Sequence, residues 1–219
     1  MSNAIQFKIC GVTSQPDAEA AARAGAGYLG FNLYPKSPRH LPLARYRELA
    51  SGLPSRGRVA VLVEPTEAEL AQAVEAGFDF FQIHFRSDTA AERLAAWSGL
   101  VGKPRLFLAP KLPPAAEPDP AWLRLADFVM LDTFSREVFG GTGRTGDWGK
   151  FARIQAAHPG TQWILSGGLS PANIAEAVRL SGARFIDVAS GVESAPGVKD
   201  HAKLRALGAV LKEISARAG

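Results

Sequence analysis

Short apolar runs alternate with helix-like segments along this chain, and this alternation constrains the fold more than any other feature. Eight runs are strand candidates, and several are too continuously apolar to have a wet face, as expected for a buried parallel sheet. The runs are Ile5–Ile9, Tyr28–Leu33, Val59–Val63, Phe80–Ile83, Arg105–Ala109, Phe128–Leu131, Trp163–Leu165 and Phe185–Val188. Repeated strand–helix alternation predicts a parallel sheet, either closed or open.

The segments between most of these runs carry apolar residues at spacings of three and four, which is typical of amphipathic helices. They are Pro16–Ala24, Thr66–Ala76, Ala90–Trp97, Pro171–Leu180 and Lys199–Ala216. Thr66 and Glu69 have the spacing of a capping box, and Ser170-Pro171 fits a cap followed by proline at the first helical position. Left-handed glycines are expected just past three helix ends, at Gly25, Gly77 and Gly182.

Eight units of about 25 residues each favour closure into a (β/α)8 barrel, which usually has about 250 residues. The chain has 219 residues, of which 47% are hydrophobic, and we expect one barrel domain over residues 1–219. An open doubly wound sheet is the alternative, but no dinucleotide-type glycine fingerprint follows the first strand. The second and fifth helices are the weakest, and a cluster of four prolines predicts a short or irregular fifth helix: Pro113, Pro114, Pro118 and Pro120.

Composition narrows the classes of function. A net charge of +4, without a run of five like charges, gives no support for a nucleic-acid partner but fits a basic mouth that attracts an anion. One cysteine excludes an internal disulfide, and the first eight residues do not resemble a secretory signal, so we expect a cytoplasmic protein. Nowhere do eighteen apolar residues run together, so no membrane partner is expected. The histidines lack paired spacing, and neither a metal nor a cofactor is predicted.

Active sites of (β/α)8 barrels lie at the carboxyl ends of the strands. The polar candidates at those ends are Cys10, Asn32, Lys36, Arg39, Glu64, His84, Asp132, Ser166–Gly168 and Asp187–Gly191. A lone cysteine is more often a small core residue, but Cys10 ends a strand and could be a base or nucleophile if Lys8 and Arg39 lower its pKa. Asp132 follows four apolar residues, so partial desolvation could raise its pKa and suit it to general acid catalysis; anchoring the next loop is the alternative.

Glycine-rich segments follow three of the later strands. The segment Gly140–Trp148 contains four glycines whose backbone could approach a ligand closely; a flexible loop is the less favoured alternative, and the segment lacks the ending of a Walker loop. Ser166-Gly167-Gly168 and Ala189-Ser190-Gly191 end adjacent strands, where barrels often bind phosphate through backbone amides. His84 is either a ligand contact or a packed wall residue.

These motifs resemble the phosphoribosylanthranilate isomerase family of tryptophan biosynthesis, nearly end to end. The segments that carry the resemblance are Lys8–Thr13, Gly30-Phe31, Tyr34–Arg39, Gln82–His84, Leu131-Asp132 with Gly140–Trp148, Ser166–Pro171 and Asp187–Ser194. Seven ordered motifs, each at a predicted strand end, make a specific combination. The resemblance implies a (β/α)8-barrel isomerase that needs neither a metal nor a cofactor.

The resemblance also implies the reaction, an Amadori rearrangement in which an aminoaldose phosphate becomes an aminodeoxyketose phosphate. The acid that protonates the ring oxygen would be Asp132, and the base that removes the C2 proton would be Cys10. Arg39 would pair with the anthranilate carboxylate, Asp187 would lie near the anthranilate amine, and His84 would contact the substrate. The phosphate would rest on amides near Gly167, Gly168, Ser190 and Gly191, with Gly141 and Gly143 in a loop that closes over the sugar.

Three residues depart from the pattern of the family. Phe85 stands where glycine is usual and is expected to narrow the mouth or reshape the fourth loop. Glu64 replaces a common asparagine and is expected to add negative charge near the substrate, and Ala189 removes a serine hydroxyl. These departures favour one alternative, an inactive phosphosugar-binding barrel. A second alternative is the histidine-pathway ribosylamine isomerase, but its family has aspartate where this chain has Cys10. The chain is expected to be a monomer or a homodimer.

Overall fold

Eight parallel strands close into a barrel in chain order. The computed structural model describes residues 4–113, 116–132 and 147–217. The strands are β1 (Gln6–Cys10), β2 (Tyr28–Asn32), β3 (Gly57–Val63), β4 (Phe80–Arg86), β5 (Leu106–Lys111), β6 (Phe128–Asp132), β7 (Gln162–Ser166) and β8 (Phe185–Val188). Because β1 pairs with both β2 and β8, the sheet has no open edge. The predicted closed barrel is confirmed, and the open doubly wound sheet is excluded.

Helices follow the strands on the outside of the barrel. They are α1 (Gln15–Arg23), α2 (Leu43–Leu49), α3 (Glu67–Glu75), α4 (Ala91–Val101), α5 (Pro120–Leu123), α6 (Trp148–Ala157), α7 (Ile174–Ser181) and α8 (His201–Arg217). The fifth helix has four residues, which confirms that it is short. A small antiparallel hairpin, β9 (Glu193–Ala195) and β10 (Val198–Lys199), stands between β8 and α8.

Most of the predicted helix signals are confirmed, and two are wrong. Thr66 and Glu69 form the capping box reciprocally, and the three predicted glycines have positive φ. The helix predicted from Pro171 begins instead at Ile174, because a turn precedes it in which the Asn173 side chain accepts a hydrogen bond from the Ser170 N–H at 2.8 Å. The last helix begins at His201, so Lys199 belongs to the hairpin and not to the helix.

Aromatic side chains fill the amino-terminal half of the barrel interior. Phe107 and Phe128 lie with ring centroids 4.4 Å apart, and Tyr28 and Phe185 lie 4.9 Å apart. Val59, Phe107, Ala109, Phe128, Met130, Ile164 and Phe185 form one buried cluster. Since side chains alternate between the two faces of a strand, the next inward positions toward the carboxyl ends carry buried polar residues: Lys8, Gln82 and Asp187. Apolar side chains therefore fill the amino-terminal half of the interior, and the buried polar side chains lie toward the carboxyl-terminal mouth.

Helix α8 packs against the end of α1 so closely that Gly208 cannot be replaced without movement. A Cβ atom on Gly208 would lie 2.1 Å from the carbonyl oxygen of Ala24. We expect Gly208→Ala to lower the free energy of unfolding by about 1 to 3 kcal/mol, although alanine is the better helix former by about 1 kcal/mol. Urea unfolding followed by circular dichroism measures the change.

Gly99 in α4 is the matched control, since a Cβ there would meet nothing within 4 Å. Gly99→Ala should raise the free energy of unfolding by about 0.5 to 1 kcal/mol through helix propensity alone. A Gly208→Ala protein as stable as the parent would show that the two helices are less tightly packed than described.

Candidate active site

Cys10 ends β1 inside the mouth of the barrel, opposite Gly30 of β2 in the strand register. The thiol is buried, and the missing side chain of Gly30 provides its space: a Cβ there would lie 3.2 Å from the Cys10 sulfur. Burial raises the pKa of the Cys10 thiol, and although Lys8 opposes this effect, the pKa stays above its usual value. The expectation that cations lower this pKa is therefore wrong for this structure, because desolvation outweighs them.

A buried ion pair lies one inward position below Cys10. Lys8 Nζ is 2.6 Å from Asp187 Oδ1, and the two side chains are 0% and 6% exposed. Lys8 and Asp187 are register partners on β1 and β8, so the pair lies across the seam that closes the barrel. Burial lowers the pKa of Lys8, but Asp187 and Cys10 together outweigh burial and raise it, so Lys8 remains a cation.

His84 points inward from β4, and its Nε2 lies 2.7 Å from the side-chain nitrogen of Gln82. As an amide nitrogen donates, the ring nitrogen accepts, which assigns the imidazole proton to Nδ1. Burial lowers the pKa of His84 to about 4, and the nearby Lys8 ammonium acts in the same direction. The imidazole is therefore neutral near pH 7, and its place in the mouth favours a contact with substrate over a proton-transfer role.

The structure gives the contacts of two of the three departures from the family pattern, Phe85 and Glu64. Phe85 is buried outside the barrel wall against Trp97 and Trp122, with ring centroids 6.2 and 5.3 Å away, because it alternates with His84 along the strand. The expectation that Phe85 narrows the mouth is wrong. Glu64 has a positive φ of 42°, a conformation that asparagine tolerates better, and its Oε1 accepts hydrogen bonds from the Arg86 N–H and the Thr89 hydroxyl.

Arg39 is held by a carboxylate that sequence reasoning did not single out. Its Nε donates to the two oxygens of Glu193 at 2.8 and 3.1 Å, and its Nη2 donates to Oε2 at 2.6 Å. Glu193 lies in β9 and is buried, whereas Arg39 is about a quarter exposed. The same carboxylate accepts from Lys199 Nζ at 2.7 Å, and the two cations lower its pKa although burial raises it.

Lys199 connects this cluster to the backbone of the candidate base. Its Nζ donates to the carbonyl oxygen of Cys10 at 2.5 Å, and the side chain is fully buried. Thr13 strengthens the connection, because its hydroxyl donates to the Gly197 carbonyl at 2.6 Å. The hairpin of β9 and β10 therefore fixes both Arg39 and the end of β1. The signal available in the sequence was the Pro196-Gly197 turn, which predicts a hairpin rather than the start of a helix.

Asp132 ends β6 beside Ser166 of β7, and in the circular strand order β6 is three strands from β1. The carboxylate is exposed at the mouth. The four preceding apolar residues of the strand are buried, but they do not bury Asp132 itself. Asp132 and Cys10 thus reach the same mouth from different parts of its rim.

The two glycine segments after β7 and β8 meet, as their adjacent strands predict. Gly167 and Gly168 have φ values of 102° and 65°, which side chains rarely adopt. A Cβ on Gly191 would lie 1.9 Å from the Leu169 carbonyl oxygen, so only glycine permits the two loops to touch. Ser190–Val192 forms a short 3₁₀ helix at this junction. Gly141 and Gly143 lie outside the described residues.

The described residues hold no group of three or more His, Cys, Asp or Glu side chains that could bind a metal ion. None of the helices within the same ranges is both long and apolar enough to span a bilayer.

Comparison with known proteins gives the family. The sequence model of N-(5'-phosphoribosyl)anthranilate (PRA) isomerase matches residues 7–209. The isomerase of Ruegeria sp. (strain TM1040) is 38% identical over 208 residues, which cover 92% of this chain and 95% of that protein. The isomerase structure from Thermus thermophilus has a TM-score of 0.78 and 32% identity, covering 96% of this chain and all of the other.

A further isomerase structure contains reduced 1-(o-carboxyphenylamino)-1-deoxyribulose 5-phosphate, and it matches with a TM-score of 0.74 and 27% identity. The match covers 95% of this chain and 99% of that one. Family and fold therefore agree along nearly the whole chain. The chain belongs to the N-(5'-phosphoribosyl)anthranilate isomerase family, the isomerases of tryptophan biosynthesis.

Proposed function

We propose that the chain performs the Amadori rearrangement of N-(5'-phosphoribosyl)anthranilate with Cys10 as base and Asp132 as acid. The observation that carries the assignment is the position of the Cys10 sulfur, which ends β1 in the mouth of the barrel beside two buried lysines. Asp132 supports it as a carboxylate at another strand end of the same mouth. General acid–base catalysis of this rearrangement needs one acid and one base that both reach the same sugar.

The reaction begins at the ring oxygen of the ribose. Asp132 donates a proton to this oxygen as the C1–O bond breaks, and the nitrogen lone pair forms a protonated Schiff base. The Cys10 thiolate then takes the proton from C2. The C2–H electron pair becomes the C1=C2 bond of a neutral enolamine as the C=N electrons return to nitrogen. Protonation at C1 and loss of the enol proton give the ketone, 1-(2-carboxyphenylamino)-1-deoxyribulose 5-phosphate.

Substrate binding follows from the charges around the mouth. Arg39 supplies a planar guanidinium for the anthranilate carboxylate, and Glu193 fixes its plane through Nε and Nη2. The loops of Gly167–Gly168 and Ser190–Gly191 offer backbone amides to the phosphate, and their contact supports a single phosphate site. His84 would contact the sugar or ring as a neutral donor, and Asp187 would approach the anthranilate amine from below.

Three further proposals accompany the function: the chain acts as one domain over residues 1–219, as a monomer or homodimer, in the cytoplasm. The described strands support the first, since one continuous barrel incorporates β1 through β8. The other two remain predictions from the sequence.

Cys10→Ser and Asp132→Asn should each lower turnover by about 10²- to 10⁴-fold, which is the usual contribution of one placed proton-transfer group. The fluorescence of phosphoribosylanthranilate during its consumption measures the rate. Asp127→Asn is the matched control, because Asp127 stands at the other end of β6 and pairs with Lys103 on the surface. Near-native turnover in either variant would exclude the catalytic role proposed for that residue. If the parent protein shows no turnover but still binds a product analogue, the chain is a binding protein and not an enzyme.

Arg39→Gln should raise KM more than it lowers kcat, because Arg39 holds a carboxylate that does not change during the reaction. Loss of a charge-assisted pair of about 2 kcal/mol corresponds to a KM about 30-fold higher. Steady-state kinetics on the same fluorescent substrate separate the two constants. Arg58→Gln removes a partly exposed guanidinium at the amino-terminal end of β3 and should leave both constants unchanged. An unchanged KM in the Arg39 variant would mean that another cation binds the carboxylate.

A further inference from the structure

Lys8 is a buried cation whose ammonium lies close to both Asp187 and Cys10. Lysine is almost never fully buried without a partner, because removing an ammonium from water costs several kcal/mol. Lys8 has an ion contact with Asp187 at 2.6 Å, yet its Nζ and the Asp187 Oδ1 have no aligned hydrogen-bond partner among the described residues. The ammonium is thus held between two groups that can accept its protons, the carboxylate of Asp187 and the sulfur of Cys10.

The nearest functional group above Lys8 is the sulfur of Cys10. The two side chains are two residues apart on β1, so they point to the same side of the strand. Both approach Gly30, where a Cβ would lie 3.0 Å from Lys8 Nζ and 3.2 Å from the sulfur. The two atoms therefore lie within roughly 6 Å of each other, the range in which an opposite charge stabilises an ion.

The other charges around Cys10 are already bound elsewhere. Lys199, from β10, donates to the Cys10 carbonyl and to Glu193, and Arg39 is bound by the same glutamate. His84, from β4, is neutral. The anion that faces Lys8 is Asp187 from β8. Lys8 is therefore the cation that acts most strongly on the Cys10 sulfur, since Lys199 is bound to the Cys10 carbonyl oxygen and Arg39 to Glu193.

We propose that Lys8 is a positioning residue whose ammonium stabilises the thiolate of Cys10, and that Asp187 limits this stabilisation by sharing the same ammonium. The role rests on the function proposed for Cys10. In the working cycle the thiol first releases its proton to solvent and becomes a thiolate beside Lys8. The thiolate then accepts the C2 proton of the sugar, and the net charge of the Lys8–Asp187–Cys10 group returns from −1 to zero.

Titration of the thiol tests this directly, because Cys10 is the single cysteine of the chain. Thiolate formation is followed by ultraviolet absorbance against pH, with the Cys10→Ser protein subtracted to remove the tyrosines. Lys8→Met should raise the midpoint by about one pH unit or more, a tenfold loss of thiolate at fixed pH. Asp187→Asn should lower the midpoint, because it removes an anion and leaves the ammonium to the sulfur. A purely structural pair would not move the thiol in opposite directions.

Lys103→Met is the control for loss of a lysine charge, since Lys103 lies on the surface before β5 and pairs with Asp127. It should leave the midpoint unchanged. Lys8→Met leaves Asp187 buried without its cation and could unfold, so the double variant Lys8→Met/Asp187→Asn removes both charges together. Its midpoint should lie above that of Asp187→Asn, because the two proteins differ only in the Lys8 ammonium.

Kinetics provide the second readout. In Lys8→Met the acidic limb of the kcat profile should move up in pH by the same amount as the thiol midpoint, with KM little changed. A thiol midpoint in Lys8→Met equal to that of the parent protein would overturn the inference. If Lys8→Met does not fold, a midpoint in the double variant equal to that of Asp187→Asn would overturn it in the same way. A kcat profile whose acidic limb does not move while the thiol midpoint does would also overturn it. Absence of turnover in the parent protein would refute the proposed function alone, because the thiol titration does not depend on turnover.

Discussion

The ion pair between Lys8 and Asp187 is the interaction on which the rest of the site depends. It joins the first and last strands of the barrel, directly above the buried aromatic cluster that fills the amino-terminal half of the interior. Two isolated charges at this depth would each cost several kcal/mol, so each residue lowers the cost of burying the other. The pair thus makes a charged layer compatible with a buried barrel interior, and it brings that charge next to the Cys10 sulfur.

A second buried carboxylate organises the rim above this layer. Glu193 binds Arg39 with three hydrogen bonds and Lys199 with one, and Lys199 reaches the carbonyl of Cys10. One hairpin therefore holds both Arg39, which is proposed to bind the anthranilate carboxylate, and Cys10, the proposed base. The two strands of this hairpin are only three and two residues long. Such short strands have little stability of their own. Charge pairing, rather than strand pairing, fixes the hairpin and with it the geometry of the mouth.

Much of this architecture was predictable because it depends on local patterns. Eight apolar runs gave the strands, the prolines gave the short fifth helix, and position at a strand end selected Cys10 and Asp132. The partners across the barrel were not predictable from the sequence, since Arg39 and Glu193 are 154 residues apart and no local spacing relates them. The exposure of Asp132 and the outward direction of Phe85 were also not anticipated, because neighbouring residues of a strand point to opposite faces of the sheet.

The raised pKa of Cys10 changes how the site must work. A thiol with a raised pKa forms little thiolate near neutral pH, but the thiolate that does form is a stronger base toward the C2 proton. General base catalysis gains when these two effects balance near the working pH. A buried sulfur with no cation nearby would be too rarely ionised, and one fully paired with a cation would be a weaker base. Because Asp187 shares the Lys8 ammonium, Cys10 lies between these two limits. A pair of hydrophobic residues could give the barrel similar stability, but it would not supply this partial stabilisation of the thiolate.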